Sequence, residues 1–157
     1  MMQYLSHLSY TIIHKYFVFV ECCKRGIIWR GIVHDISKFS PSEFGAYANY
    51  FFNEDGTRKN NPNKYQVEAF ARAWCHHAHS NDHHHNYWIV DAYGSCNKEP
   101  LLPPADAIKE MAADMIGASA AQGYPPNGAK DYYLKHRDRI ILHPVARYLL
   151  EKELVIK

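Results

Sequence analysis

Six of the chain's eleven histidines lie within ten residues: His76, His77, His79, His83, His84 and His85. Upstream stands the dipeptide His34-Asp35, flanked at greater distance by His14 and Asp114. Neutral imidazole and carboxylate form the ligand set for divalent transition metals such as zinc, manganese, iron, nickel and cobalt. Histidine has little other reason to crowd a short segment, being a middling helix former and a poor core residue. The composition of this stretch therefore points to metal binding.

The elements that must carry these residues read as helices. Leu5, Leu8, Ile12, Tyr16 and Phe19 recur at three- and four-residue steps, which predicts a first helix with that stripe as its apolar face. Gly26 is placed to end it. Ile28, Ile32 and Ile36 predict a second helical segment over residues 27–38, with the His-Asp dipeptide on it. Ser40-Pro41-Ser42-Glu43 has the pattern of a capping box, which predicts a helix over 43–52. Residues 53–63 and 91–104, rich in Asn, Gly and Pro, read as loops. Residues 64 to about 79 predict a helix with Val67, Phe70, Ala71 and Trp74 on one face, broken by Ser80-Asn81-Asp82. A helix is expected over 105–121, closed by Gly123, then another through Tyr132 and Leu134. A last one opens at His143-Pro144 and runs to Leu154. The expected fold is all-α, a single helical domain over residues 1–157.

On that scaffold a hairpin turning near Gly26 brings His14 roughly level with His34. Asp114 sits among Ala112, Ala113, Gly117 and Ala118, small residues that let its helix approach closely. His14, His34, Asp35 and Asp114 thus make a plausible shell of two histidines and two aspartates. Lys38, three residues past Asp35, shares roughly the same helix face. A cation there suits an anionic substrate oxygen. Lys135, His136, Arg137, Arg139 and His143 offer further positive groups, equally readable as a solvated face.

The order His, then His-Asp, then a distant Asp, all on helices, resembles the HD-domain metal-dependent phosphohydrolase superfamily, whose His-Asp-x-x-Lys matches His34-Asp35-Ile36-Ser37-Lys38. The resemblance implies an HD-like helical domain in which Asp35 and Lys38 serve catalysis. The histidines between the dipeptide and Asp114 are similar to those of its two-metal branch, which implies two ions bridged by Asp35. Two of the six clustered histidines suffice for a second ion. His77 and His84 are the favoured pair, with His76 and His83 next; His79 and His85 read as surface or supporting residues. More narrowly, HDISKFSPSEF (34–44), WCHHAHSNDHHHNYW (74–88) and ILHPVAR (141–147) resemble an uncharacterised family of small bacterial and phage proteins.

The expected activity is hydrolysis of a phosphomonoester or phosphodiester, with a small anionic substrate, a nucleotide by superfamily analogy. Tyr47, Tyr50, Tyr87, Trp88 and Tyr93 are candidates to stack a base. The alternatives are a di-iron oxygenase of HD type and a non-catalytic, metal-stabilised binding protein. A formal net charge of +2 argues against bulk nucleic-acid binding. No apolar run reaches the length of a membrane span and no signal peptide is evident, so a cytoplasmic location is expected. Cys22, Cys23, Cys75 and Cys96 form no CxxC motif and read as reduced thiols in a helical core. Oligomeric state is not legible.

Overall fold

The computed structural model describes residues 1–91 and 98–156. Its described residues form α1 (Met2–Lys24), α2 (Ile28–Val33), α3 (Phe44–Phe51), α4 (Lys64–Ser80), α5 (Ala105–Ala121), α6 (Gly128–His136) and α7 (Pro144–Glu153). Short 3-10 turns cover Ile36–Phe39, His85–Trp88 and Arg137–Arg139. Among the described residues the fold is all-α apart from one small hairpin and an isolated bridge between Phe52 and Arg58. β1 (Ile89–Asp91) pairs antiparallel with β2 (Lys98–Pro100) where a loop is expected, the β-branched Ile89 and Val90 supplying the strand preference. Tyr93, Gly94 and Cys96 lie outside the described residues.

Helix α5 is the axis of the molecule. One side packs on α1, the other on α6 and α7. The α1 crossing is close because Gly117 lacks a side chain: a Cβ there would meet Val18 Cγ2 at 2.5 Å and the Val18 backbone nitrogen at 2.8 Å. That crossing sets the site, because Asp114 lies one turn before Gly117 and His14 one turn before Val18. On the other side, Ile108, Met111 and Ala112 join Ala129, Tyr133, Ile140, Leu142, Ala146, Leu150 and Leu154 in an apolar core.

One amphipathic reading is inverted and another is only partly met. The buried side of α1 consists of Gln3, His7, Thr11, His14, Val18 and Cys22, while Leu5, Ile12 and Tyr16 are exposed. In α4 the buried residues are Ala73, His77 and Ala78; Val67 is exposed, whereas Phe70 packs on Tyr47 and Tyr50 and the half-exposed Trp74 on His77 and His84. Both helices turn their polar, histidine-bearing sides inward because the interior between them is itself polar.

The segment joining α2 to α3 also departs from the expected helix. Asp35 adopts the left-handed conformation (φ 52°, ψ 26°), so α2 ends at Val33 and the dipeptide lies at a break. Aspartate tolerates this region better than most residues. Lys15 steadies the break by donating to the carbonyls of Ile32 (2.7 Å) and His34 (2.6 Å). The capping box at Ser40 does not form; α3 starts at Phe44, and the Glu43 side chain is directed into the interior. A capping box does form at α4, between Asn63 and Gln66.

Candidate metal centre

His14 comes from the middle of α1, His34 and Asp35 from the break after α2, and Asp114 from α5. Gly26, with φ 71°, makes the turn that returns α2 along α1. Gly31 permits the contact, since a Cβ there would meet Cys22 Cβ at 2.8 Å. The Nε2 atoms of His14 and His34 lie 3.4 Å apart. Asp114 Oδ1 is 3.1 Å from the first and 3.5 Å from the second. Asp35 Oδ2 is 3.5 Å and 3.3 Å from the same two nitrogens. Around an ion with bonds of about 2.1 Å, neighbouring donors are separated by roughly 3.0–3.4 Å, depending on tetrahedral or octahedral angles. These four residues can therefore surround one ion.

The other oxygen of Asp35 faces a second group. Oδ1 lies 3.3 Å from His77 Nε2 and 3.3 Å from His83 Nε2. His84 completes the set, its ring centroid 4.7 Å from that of His77 and 4.2 Å from that of His83. Asp35 Oδ1 and the Nε2 atoms of His77, His83 and His84 are buried without a hydrogen-bond partner. One ligand atom from each of Asp35, His77, His83 and His84 lies within 4.8 Å of all the others. Leaving such groups unsatisfied costs about 1–3 kcal/mol each, so a cation at their focus is the arrangement that their burial fits.

Glutamates hold the imidazoles from behind. Glu110 Oε1 accepts from His34 Nδ1 at 2.8 Å and lies 3.2 Å from His83 Nδ1. Glu43 Oε2 accepts from His77 Nδ1 at 2.9 Å. With Nδ1 donating to carboxylate, each ring presents Nε2 to the centre, the usual arrangement behind ligating histidines. His34, His83 and Glu110 themselves form a compact trio. That trio backs the two donor groups, because its Nδ1 atoms meet Glu110 while its Nε2 atoms meet Asp35. Arg30 donates to Glu110 Oε2 at 2.5 Å and also to Asp82, tying α2 to α5 and to the segment after α4.

The electrostatics favour cations. Burial would raise the Asp35 and Asp114 carboxyls, but His34 and Lys38 beside Asp35, and His14 and His34 beside Asp114, hold both well below the usual range. Glu110 is likewise brought down to about 2 against burial, by His34 and His83. His83 is raised to about 8 because Asp35 and Glu110 outweigh its burial. His84 goes the other way: burial and the charge on His83 hold it well below the usual histidine range, in the neutral form that ligates metal. Without ions, charged histidines balance these carboxylates; metal would displace those protons.

The remaining expected residues separate clearly. Lys38 lies on the 3-10 turn and donates to Asp35 Oδ2 at 2.5 Å, so its partner here is the shared carboxylate. Although burial opposes it, Asp35 and Asp114 hold its ammonium above the ordinary lysine range. His76 is half exposed, 3.6 Å from Glu43, and His79 donates to its own helix at the Cys75 carbonyl. His85 lies outside both groups. Cys22 is buried, but Cys23 and Cys75 are exposed. Of the described aromatic candidates, Tyr47 is buried, Tyr50 stacks on Phe70, and Tyr87 packs on Trp88. Arg137 pairs with Glu151, and His143 caps α7.

Residues 3–155 match a family of unknown function, DUF5662. The chain belongs to this family. The match agrees with the resemblance to an uncharacterised family and gives no support to membership of the HD-domain superfamily. No curated protein and no solved structure matches the chain. Nor is any helix among the described residues long and apolar enough to cross a membrane.

Proposed function

We propose that this member of DUF5662 is a metal-dependent phosphohydrolase with a dinuclear centre, acting on a phosphomonoester or phosphodiester. The observation that carries the reading is the split of Asp35: one oxygen faces His14, His34 and Asp114, the other faces His77 and His83. A shared carboxylate between two nitrogen-rich donor groups is the geometry of a paired-ion site. When bound, such a pair lowers the pKa of coordinated water and neutralises phosphate oxygens.

The chain's own residues have defined tasks in this reading. Asp35 fixes the spacing between the two donor groups, and its left-handed backbone aims both oxygens inward. Glu43 and Glu110 hold a proton on Nδ1 of His77, His34 and His83, so that Nε2 is the nitrogen each ring offers to a metal. Lys38 donates to Asp35 Oδ2, the oxygen that faces His14 and His34, and neutralises it. It reaches a substrate oxygen only by exchanging that partner.

Elemental analysis of protein purified without chelators, followed by assay of the loaded protein on phosphomonoesters and phosphodiesters, tests the proposal. Two divalent ions per chain and metal-dependent release of phosphate or alcohol, lost in Asp35→Ala, are expected. Loaded protein that hydrolyses neither ester class overturns it. Iron together with oxygen consumption would favour an oxygenase instead.

A further inference from the structure

The two donor groups share an asymmetry. In each, three residues are buried and one is half-buried: Asp114 in the first and His84 in the second. Both half-buried residues line the same cleft, of about 700 Å³, between α4, α5 and the start of α6. Among the described residues this cleft opens directly onto both candidate ions.

Its walls are specific in kind. Trp74, Tyr124 and Tyr132 line it, and all three rings are substantially exposed, at 40%, 60% and 56%. Trp74 stands edge-on to His84 with ring centroids 5.2 Å apart, so the aromatic wall continues to the metal ligands. Lys135 is the lysine of the lining, and Asp131 lies on the same helix beside it. Lys135 forms no ion pair among the described residues. A second cleft of about 670 Å³, beside Leu154 and Ile156, carries none of the candidate ligands.

We infer that this cleft binds the organic part of the substrate, and that the substrate is a monophosphate ester of a planar aromatic group. The inference rests on the phosphohydrolase reading. Exposed rings flanking a site offer stacking faces, and stacking suits any planar π-system. A lining with one lysine and one aspartate beyond the donor groups suits a single phosphoryl group at the ions and leaves the further charges of a polyphosphate unpaired. An aliphatic phosphate ester would leave the aromatic walls without a partner.

Titration calorimetry on manganese-loaded protein with 1-naphthyl phosphate, glycerol phosphate and tripolyphosphate tests this. Naphthyl phosphate should bind about tenfold tighter than glycerol phosphate. The advantage should disappear in Tyr132→Ala and Tyr124→Ala while metal content stays unchanged; both side chains are exposed, so neither variant should compromise folding. Equal affinity for the two esters, an advantage that survives both substitutions, tighter binding of tripolyphosphate, or no binding at all would each overturn the assignment. Product release measured in the same samples separates the two claims. Naphthyl phosphate bound with preference but never cleaved removes the hydrolase reading and keeps the cleft. Cleavage of both esters with equal affinity does the reverse.

Discussion

The two sides of α5 are built on opposite principles. Towards α6 and α7 it presents Ile108, Met111 and Ala112 to an apolar core closed by Tyr133, Leu142, Leu150 and Leu154. Towards α1 and the dipeptide it presents Glu110, Ala113, Asp114 and Gly117, and the interior there is filled by His14, His34, Asp35, His77, His83 and Glu43. The first side is held by burial of apolar surface, about 25 cal/mol for each Å². The second has the small apolar cluster of Val18, Cys22, Ile27 and Ala113 and, around His7, the buried rings of Tyr47 and Phe52. It buries carboxylates and imidazoles whose desolvation is unfavourable unless something satisfies them. One half of the molecule should therefore be stable by itself, and the other should depend on what it binds.

The largest expected effect is the removal of metal. An ion present at a hundred times its dissociation constant adds roughly 2.7 kcal/mol, so two add about 5 kcal/mol. For a chain of this size that corresponds to roughly ten degrees or more in melting temperature. Chelation should lower the melting temperature by that order, and Asp35→Ala should lose most of the metal found by elemental analysis. An unchanged melting curve after verified metal removal would erase the distinction between the halves.

Leu150→Ala probes the other side. Leu150 is fully buried in the apolar core, and such truncations cost about 2–5 kcal/mol. Denaturant unfolding should register that loss, yet the folded variant should keep its full complement of metal. Metal loss in parallel would mean that the halves are energetically one.

Acid should act on the polar half through a residue that belongs to neither donor group. His7 is buried against Phe44, Tyr47 and Phe52, both ring nitrogens unpartnered. Burial, assisted by Lys38 and Arg58, lowers it from 6.5 to about 4. The folded state thus binds fewer protons than the unfolded one between these values. Stability is intact above pH 6.5 and falls as pH drops towards 4. At pH 5 this one group accounts for about 2 kcal/mol. His7→Phe should flatten the stability profile between pH 7 and 5 relative to the parent; equal slopes would place the acid sensitivity on the metal ligands alone.

The same contrast explains which parts of the molecule were legible in the sequence. Helices that pack an apolar side into the core, α5 and α7, begin and end where periodicity and composition place them. In α1 the helix was legible but not its orientation, because the apolar stripe through Leu5, Ile12 and Tyr16 faces out and the side bearing His7 and His14 faces in. His14, His34, Asp35 and Asp114 could be brought together from a hairpin and a run of small residues, as the structure places them. His83 could not be separated from its neighbours, because past Ser80 no helical period remains to fix a direction. Glu43 and Glu110 were missed outright. One stands where a capping box predicts a glutamate, the other in mid-helix, where charged residues usually meet solvent. The only signal that could have found them is that a buried cluster of imidazoles needs carboxylates behind it.

The smallest expected effect resolves the polar half itself. Glu43 supports His77 alone, whereas Glu110 Oε1 meets His34 from one donor group and His83 from the other. Glu43→Gln keeps an oxygen to accept from His77 Nδ1 and removes only the charge that makes the imidazole a stronger donor. Loss of such a partner costs roughly 10–100-fold in metal affinity, and the conservative change should fall at the low end, about tenfold. That loss should appear in one of two metal-binding steps by titration calorimetry, while Glu110→Gln should weaken both. If Glu43→Gln weakens both steps equally, Asp35 couples the ions so tightly that they bind as a unit, and the two donor groups form one site. If it weakens neither, His77 is held in place by packing against Tyr47 and Trp74, whose ring centroids lie 6.2 Å and 5.8 Å away, and the buried carboxylate of Glu43 serves the fold instead of the metal.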